Sequence, residues 1–483
     1  MGKSRIALSL LLMVLGGVGL KSRSPFLLAW RETLPWILPI LGAALAWKFR
    51  GRKAWAIALI LAGLIPLGLQ RQADSLRERV LAAEPAALRR LGRHFLVGYR
   101  DFAELEALVA RGAVGGVFVT QRNIQGKTAA QVRAELRRLQ EIQASQGLPP
   151  LYIATDQEGG PVSRLSPLVP AQPSLAVWLR AGGTAQAYAD LQARALADLG
   201  VNLNFSPVVD LRHPDQDGRF HPHTRIDQRA ISADPLEVAE AATTYCLAFE
   251  RRGLRCTLKH FPGLGQVAVD THLREGRLEI PRDALEAADW LPFRATLAAS
   301  RAFLMLGHVR VPELDPELPA SLSPAIVRGL IRGSWGHEGV VITDDFTMGP
   351  IQGRPGGVGP AARQALEAGV DLILVSYDPE LYYEAMAYLL NARGVGQWEA
   401  RLTESTRRLR EDLDRRAVGH QVPDLLDLFV GDGDAAVGPV VEAVRGPEIR
   451  RAVGQAVDHD RAAGRDAAGL GRRGVAAVGV RDM

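Results

Sequence analysis

The chain has 483 residues, 58 Lys and Arg against 53 Asp and Glu, and only two cysteines. The length is ample for one large core, while two cysteines are too few for a disulfide framework and say little about compartment. Residues 1–80 hold twelve of the basic residues and three of the acidic ones, so the rest is mildly acidic and the positive total implies no nucleic-acid partner.

The first 80 residues carry three apolar segments, at 6–20, 33–47 and 54–69. Lys3 and Arg5 precede the first as they would a signal peptide, but no small-x-small cleavage site follows, and two more apolar segments do. Neither Cys246 nor Cys256 lies near the start, which argues against a lipoprotein anchor. The spacing predicts three short transmembrane helices, with the basic linker from Lys48 to Lys53 in the cytoplasm and everything after residue 80 on the extracytoplasmic side. A two-helix hairpin of 33–47 and 54–69, with 6–20 at the interface, gives the same orientation.

From about residue 85 the pattern changes to short apolar runs that end in polar residues. Candidate strands lie near 94–98 and 114–119, and Leu151 to Thr155 then runs into Asp156-Gln157-Glu158-Gly159-Gly160. Further runs end at Asp210, at Lys259-His260, at His308, at Asp344-Asp345 and at Tyr377-Asp378. Amphipathic stretches at 128–146, 184–199, 234–252, 285–299 and 360–369 separate them. About eight β-α units predict a (β/α)₈ barrel over 85–420, with its chemistry at the C-terminal ends of the strands. The rival, an open dinucleotide-binding sheet, lacks a G-x-G-x-x-G turn after its first strand. The segment 431–483 is dominated by Gly, Ala, Val, Arg and Asp, without aromatic residues, and reads as a disordered low-complexity tail. That leaves no room for a second α/β domain.

The densest chemistry is Lys259-His260-Phe261-Pro262-Gly263-Leu264-Gly265, followed by Asp270-Thr271-His272. A strand delivers Lys and His to a loop that ends in an Asp-x-His pair, groups able to hold a substrate and move protons. A buried ammonium such as Lys259 needs a partner. The Gly159-Gly160 pair reads as a tight turn, and its nearness to Asp156 as backbone that also makes room for a substrate. Asp345 reads as a residue that shapes its loop, and His308 as one that packs locally or lines the pocket. The His-Pro-His run at 221–223 has no partners at metal-ligand spacing, so no metal and no cofactor are assigned.

Three of these blocks together, Asp156 to Gly160, Lys259 to His272, and Val341-Ile-Thr-Asp344-Asp345-Phe-Thr-Met348, resemble the signature blocks of family 3 glycoside hydrolases over about residues 90–415. They are most similar to the bacterial β-N-acetylglucosaminidase branch, which removes terminal N-acetylglucosamine, often from peptidoglycan fragments. The resemblance implies Asp344 as nucleophile, His272 as acid/base, and Asp270 as the residue that orients it. It also implies sugar contacts at Asp156, Arg164, Arg229, Lys259 and His260, net retention through a glycosyl-aspartate, and a glycan substrate. Two departures stand out, Leu264 where the family commonly has His and Pro161 where it commonly has Arg. A β-glucosidase or phosphorylase using the same nucleophile, or a non-catalytic membrane-tethered glycan-binding barrel, are the alternatives. The chain carries no signal of oligomeric state.

Overall fold

The computed structural model describes residues 71–213, 223–392 and 397–419. The three apolar segments before residue 70, His221 of the His-Pro-His run and the 431–483 tail lie outside the described residues. Among the described residues no helix is long and apolar enough to cross a membrane.

Eight parallel strands form the barrel: β1 Phe95–Gly98, β2 Gly116–Phe118, β3 Tyr152–Thr155, β4 Leu203–Asn204, β5 Thr257–Phe261, β6 Phe303–Leu306, β7 Val341–Thr343 and β8 Ile373–Val375. They pair in two runs, β8-β1-β2-β3-β4 and β7-β6-β5. Single parallel bridges, Leu203 with Arg255 and Ile342 with Leu372, join the runs and close the ring. Backbone bonds at both seams, Asn204 N to Arg255 O at 2.9 Å and Thr343 N to Leu372 O at 3.0 Å, complete the closure. No strand edge is then left with unpaired amides.

Alternate strand residues point to opposite faces, and both faces here are apolar. Leu96, Phe118, Tyr152, Phe303, Ile342 and Leu374 fill the lumen, whereas Phe95, Val117, Ile153, Leu304, Val341 and Ile373 face the helices. Burial on both sides explains the near-continuous apolar runs of the sequence.

Each strand is followed by a helix: α1 Phe102–Ala110, α2 Ala129–Ser145, α3 Ala185–Leu199, α4 Pro235–Glu250, α5 Leu291–Ala299, α6 Ala325–Ser334, α7 Val358–Ala368 and α8 Glu380–Asn391. Their ends are set locally. Thr128 and Gln131 form a capping box at α2, Asp234 caps α4 ahead of Pro235, and Gly200 ends α3 in the left-handed region at φ 95°. The predicted helix 285–299 is two pieces, Arg282–Ala287 and α5. They are separated by a turn at which Trp290 donates from its indole to Pro262 O at 3.0 Å.

Two features were not read from the sequence. A last helix, α9 Trp398–Gly419, closes the N-terminal mouth of the barrel. Its Leu409 joins the lumen cluster, Arg408 pairs with Asp371 at 2.8 Å, and Asp412 accepts from Arg255 at 2.6 Å and from Tyr152 at 3.0 Å. In addition, Cys246 in α4 and Cys256 just before β5 form a disulfide. The chain reverses between them, with Leu254 N bonded to Phe249 O at 3.0 Å, bringing the two Cα atoms to 5.3 Å.

Candidate active site

Strand β5 carries Lys259 and His260 within the strand itself, not in the loop beyond it. Its end is held by aromatic packing, as Phe261 lies 5.5 Å from Trp290, 5.4 Å from Phe293 and 5.2 Å from Trp335, centroid to centroid. Lys259 Nζ donates to Asp156 at 2.8 Å and pairs with Glu158 at 2.6 Å, both delivered by the end of β3. Arg229, which follows β4, grips Glu158 with two nitrogens at 2.8 and 2.7 Å and donates to Thr224 O at 2.7 Å. Burial works against the Glu158 charge, but Arg229 and Lys259 outweigh it and hold the carboxyl far below its usual range.

His260 is oriented by Asp210 at the end of the β4 segment. Its Nδ1 lies 2.8 Å from Asp210 Oδ2, while Asp210 Oδ1 accepts from Leu264 N at 2.7 Å. With the carboxylate accepting, Nδ1 is the donor and Nε2 is left facing Arg229 Nη2 at 3.5 Å. Leu264 is buried and contributes its backbone amide here.

The predicted dyad is formed. His272 Nδ1 lies 3.1 Å from Asp270 Oδ1, whose carboxylate also accepts from His223 N at 2.9 Å, Thr224 Oγ1 at 2.8 Å and His272 N at 3.0 Å. Burial opposes ionisation of Asp270, yet its bonds to His272, to the His223 amide and to Thr224 keep it strongly acidic. An ionised Asp270 only accepts, so His272 Nδ1 donates and Nε2 is the nitrogen free for proton transfer. The His272 side chain is 31% exposed, open enough to meet a substrate.

Asp344 follows β7 and is partly exposed. Its amide donates to Leu306 O at 2.8 Å, and one carboxylate oxygen accepts from Asp345 N at 2.8 Å. Burial pushes its pKa up, but the nearby His260, His308 and His272 more than offset this and hold it below the usual carboxylate range. A low pKa keeps it an anion. The neighbouring Asp345 shapes the loop, accepting from Thr347 N at 2.9 Å, Ser376 N at 3.1 Å and the Ser376 hydroxyl. His308 is fully buried, 2.8 Å from Ser321 Oγ and 3.1 Å from Asp345 O, so it packs behind the pocket.

Asp156, Lys259, His260 and Arg229 thus form one network, linked through Glu158. Arg164 stands apart from that network. Its amide bonds Asp156 O at 3.1 Å, but its guanidinium donates to the Tyr377 hydroxyl at 2.8 Å. Of the Gly159-Gly160 pair, both glycines have positive φ, as a tight turn requires. A Cβ on Gly159 would meet the Tyr188 hydroxyl at 2.1 Å and Pro173 O at 2.4 Å, and its φ is +86°. At Gly159 the space is taken by Tyr188, whose hydroxyl donates to Glu158 O at 2.6 Å. Glu158, Asp210 and Thr224 were not assigned from sequence. For the first two a signal existed, since a buried Lys and a buried His each call for a carboxylate. Thr224 carried none.

The sequence profile described as "Glycosyl hydrolase family 3 N terminal domain" matches residues 87–411. The chain belongs to glycosyl hydrolase family 3. A "Beta-hexosaminidase" from Xanthomonas oryzae pv. oryzae is 36% identical over 287 residues, 57% of this chain and 79% of that protein. Another from Xylella fastidiosa strain M12 is 36% identical over 289 residues, covering 58% and 81%. The structure of a family 3 β-N-acetylglucosaminidase from Paenibacillus sp. str. FPU-7 superposes with a TM-score of 0.63 at 32% identity, over 74% of this chain and 67% of that one. A β-N-acetylhexosaminidase from Beutenbergia cavernae gives 0.61 at 29%, over 68% and 98%. Membership makes the chain a glycoside hydrolase of the barrel type.

Proposed function

We propose that this family 3 enzyme is a retaining exo-β-N-acetylglucosaminidase acting on peptidoglycan-derived glycans outside the cytoplasm. The observation that carries the reaction is the juxtaposition of an ionised Asp344 with a dyad whose Asp270 leaves His272 Nε2 free. Asp344 attacks the anomeric carbon as His272 protonates the departing oxygen, giving a glycosyl-aspartate. Water, deprotonated by the same imidazole, then attacks that carbon and releases Asp344. Lys259, Asp156 and His260 present one ammonium, one carboxylate and one imidazole to the sugar hydroxyls. The β-hexosaminidase relatives support the acetamido sugar.

The location outside the cytoplasm rests on the three apolar segments before residue 70 with their basic linker, and the Cys246–Cys256 disulfide is consistent with an oxidising compartment.

The test is hydrolysis of an aryl β-N-acetylglucosaminide beside the aryl β-glucoside, by the wild type and by Asp344→Ala. Turnover of the acetamido sugar, falling by at least about 10³-fold in the variant, is expected for loss of a covalent nucleophile. Preference for the glucoside would overturn the substrate, and an unimpaired variant would remove Asp344 from the mechanism.

A further inference from the structure

The loop that carries His272 has two moorings, and only one of them belongs to the dyad. On one side Asp270 is tied to His223 and Thr224, as described. On the other, His272 O accepts from Gly349 N at 2.9 Å. Gly349 lies five residues beyond Asp344, in the same short segment that follows β7. It opens a four-residue helical turn, Gly349–Gln352, with Pro350 as its second residue.

The approach at this mooring is too close for any side chain. A Cβ on Gly349 would stand 2.4 Å from Leu273 O, 2.9 Å from Leu273 C and 3.3 Å from His272 O. All three are backbone atoms of the dyad loop, which cannot swing aside as a side-chain tip would. The φ of Gly349 is not in the left-handed region, so conformational freedom is not the reason for glycine here. Contact is.

From this geometry we infer that Gly349 is a positioning residue, docking the acid/base loop onto the segment that carries the nucleophile and so fixing where His272 stands relative to Asp344. The inference rests on the reading of His272 as acid/base and adds to it the element that holds the imidazole in register. The two reacting groups come from different strands, β5 and β7, and the Gly349 amide is a direct backbone tie between their loops. Adding one methyl at Gly349 displaces the His272–Leu273 backbone while leaving the imidazole, Asp270 and the sugar contacts chemically intact. The reaction then loses protonation of the leaving oxygen before it loses nucleophilic attack.

The experiment uses the full chain with Gly349→Ala and a series of aryl β-N-acetylglucosaminides, from poor to highly activated leaving groups, with His272→Ala as reference. General acid assistance contributes about 10²–10⁴-fold, and a displaced acid forfeits part of it. For the poorest leaving group kcat/KM should fall about tenfold or more, and for an activated dinitrophenyl group, which departs without a proton, it should stay within about threefold. A uniform loss across the series, or no loss, overturns the inference, since a merely structural defect does not discriminate between leaving groups. If Gly349→Ala fails to fold, Pro350→Ala serves instead. It frees the restricted residue before proline without adding an atom at the contact, and it should show the same leaving-group dependence at smaller size; a flat profile there overturns the inference as well. The underlying reading fails separately, if His272→Ala itself shows no dependence on the leaving group.

Discussion

The Glu158 carboxylate accepts from Lys259 at 2.6 Å and from two nitrogens of Arg229 at 2.8 and 2.7 Å, and the residue is only 6% exposed. It is the counter-charge for two buried cations, of which one, Lys259, also reaches Asp156. Glu158→Gln keeps the size and removes the charge, so Arg229 loses its acidic partner and Lys259 keeps only Asp156. Breaking a buried pair from one side typically costs about 3–5 kcal/mol. Urea unfolding at neutral pH should show a loss of that order, together with a raised KM as Lys259 shifts from the position proposed to meet the sugar. A variant within about 1 kcal/mol of the wild type would mean that water replaces the carboxylate without penalty. This residue also marks what a chain read in one dimension reveals. Lys259 is conspicuous because an ammonium at the end of an apolar run is improbable without a partner, but which acid supplies it depends on β3 and β5 facing one pocket. That is a property of the closed ring.

At the scale of elements, patterns that repeat within a few residues were legible and partners distant in the chain were not. Eight strands were readable because each is buried on both faces, and α2, α3 and α4 because their caps and periodicity are local. The closing helix α9 carries many charges and few apolar residues, so it gives little periodic signal; its role depends on Asp371 and Arg255, both remote in sequence. The disulfide was missed for a similar reason, since spacing alone does not reveal that α4 ends in a reversal leading into β5. That bond closes a loop of ten residues between the helix behind β4 and the strand bearing Lys259 and His260. Chain-entropy arguments value a loop of that length at about 3 kcal/mol. The double variant Cys246→Ser/Cys256→Ser should therefore unfold at lower urea concentration by a corresponding amount, and wild type treated with a reductant under unfolding conditions should match it. Unchanged stability in both would show that the bond is not formed in the folded protein.

Across the whole molecule, pH acts most directly through the base of the barrel. His94 begins the turn into β1 and is fully buried. Its Nδ1 faces Asp371 O at 3.0 Å and Ser405 Oγ at 3.2 Å, while Nε2 has no hydrogen-bond partner among the described residues. The carbonyl can only accept, so Nδ1 carries the proton and Nε2 is a bare lone pair. Protonating it would place an unpaired cation in the interior beside Arg93 and Arg408, and burial above all lowers the His94 pKa to about 4. Nearby, His337 is lowered to about 3, again chiefly by burial and then by Arg332. For a group depressed on folding, the unfolded chain takes up the proton first. The stability tied to neutral His94 is complete above its unfolded pKa of about 6.5 and is lost as pH falls from there through about 4. At pH 5 the loss from His94 alone is about 2 kcal/mol. Glu250 and Glu380, whose carboxyls burial raises, act in the opposite sense, so the wild-type slope is a net of both. Comparison with His94→Asn separates them, because the amide keeps a donor for Asp371 O and cannot titrate. Unfolding free energies measured in urea at pH 7 and pH 5 should fall by about 2 kcal/mol less in the variant than in the wild type. Equal losses in the two proteins would place the acid sensitivity elsewhere. The expected difference would trace that share of the acid sensitivity to the buried imidazole between β1, β8 and α9, at the end opposite Asp344 and His272.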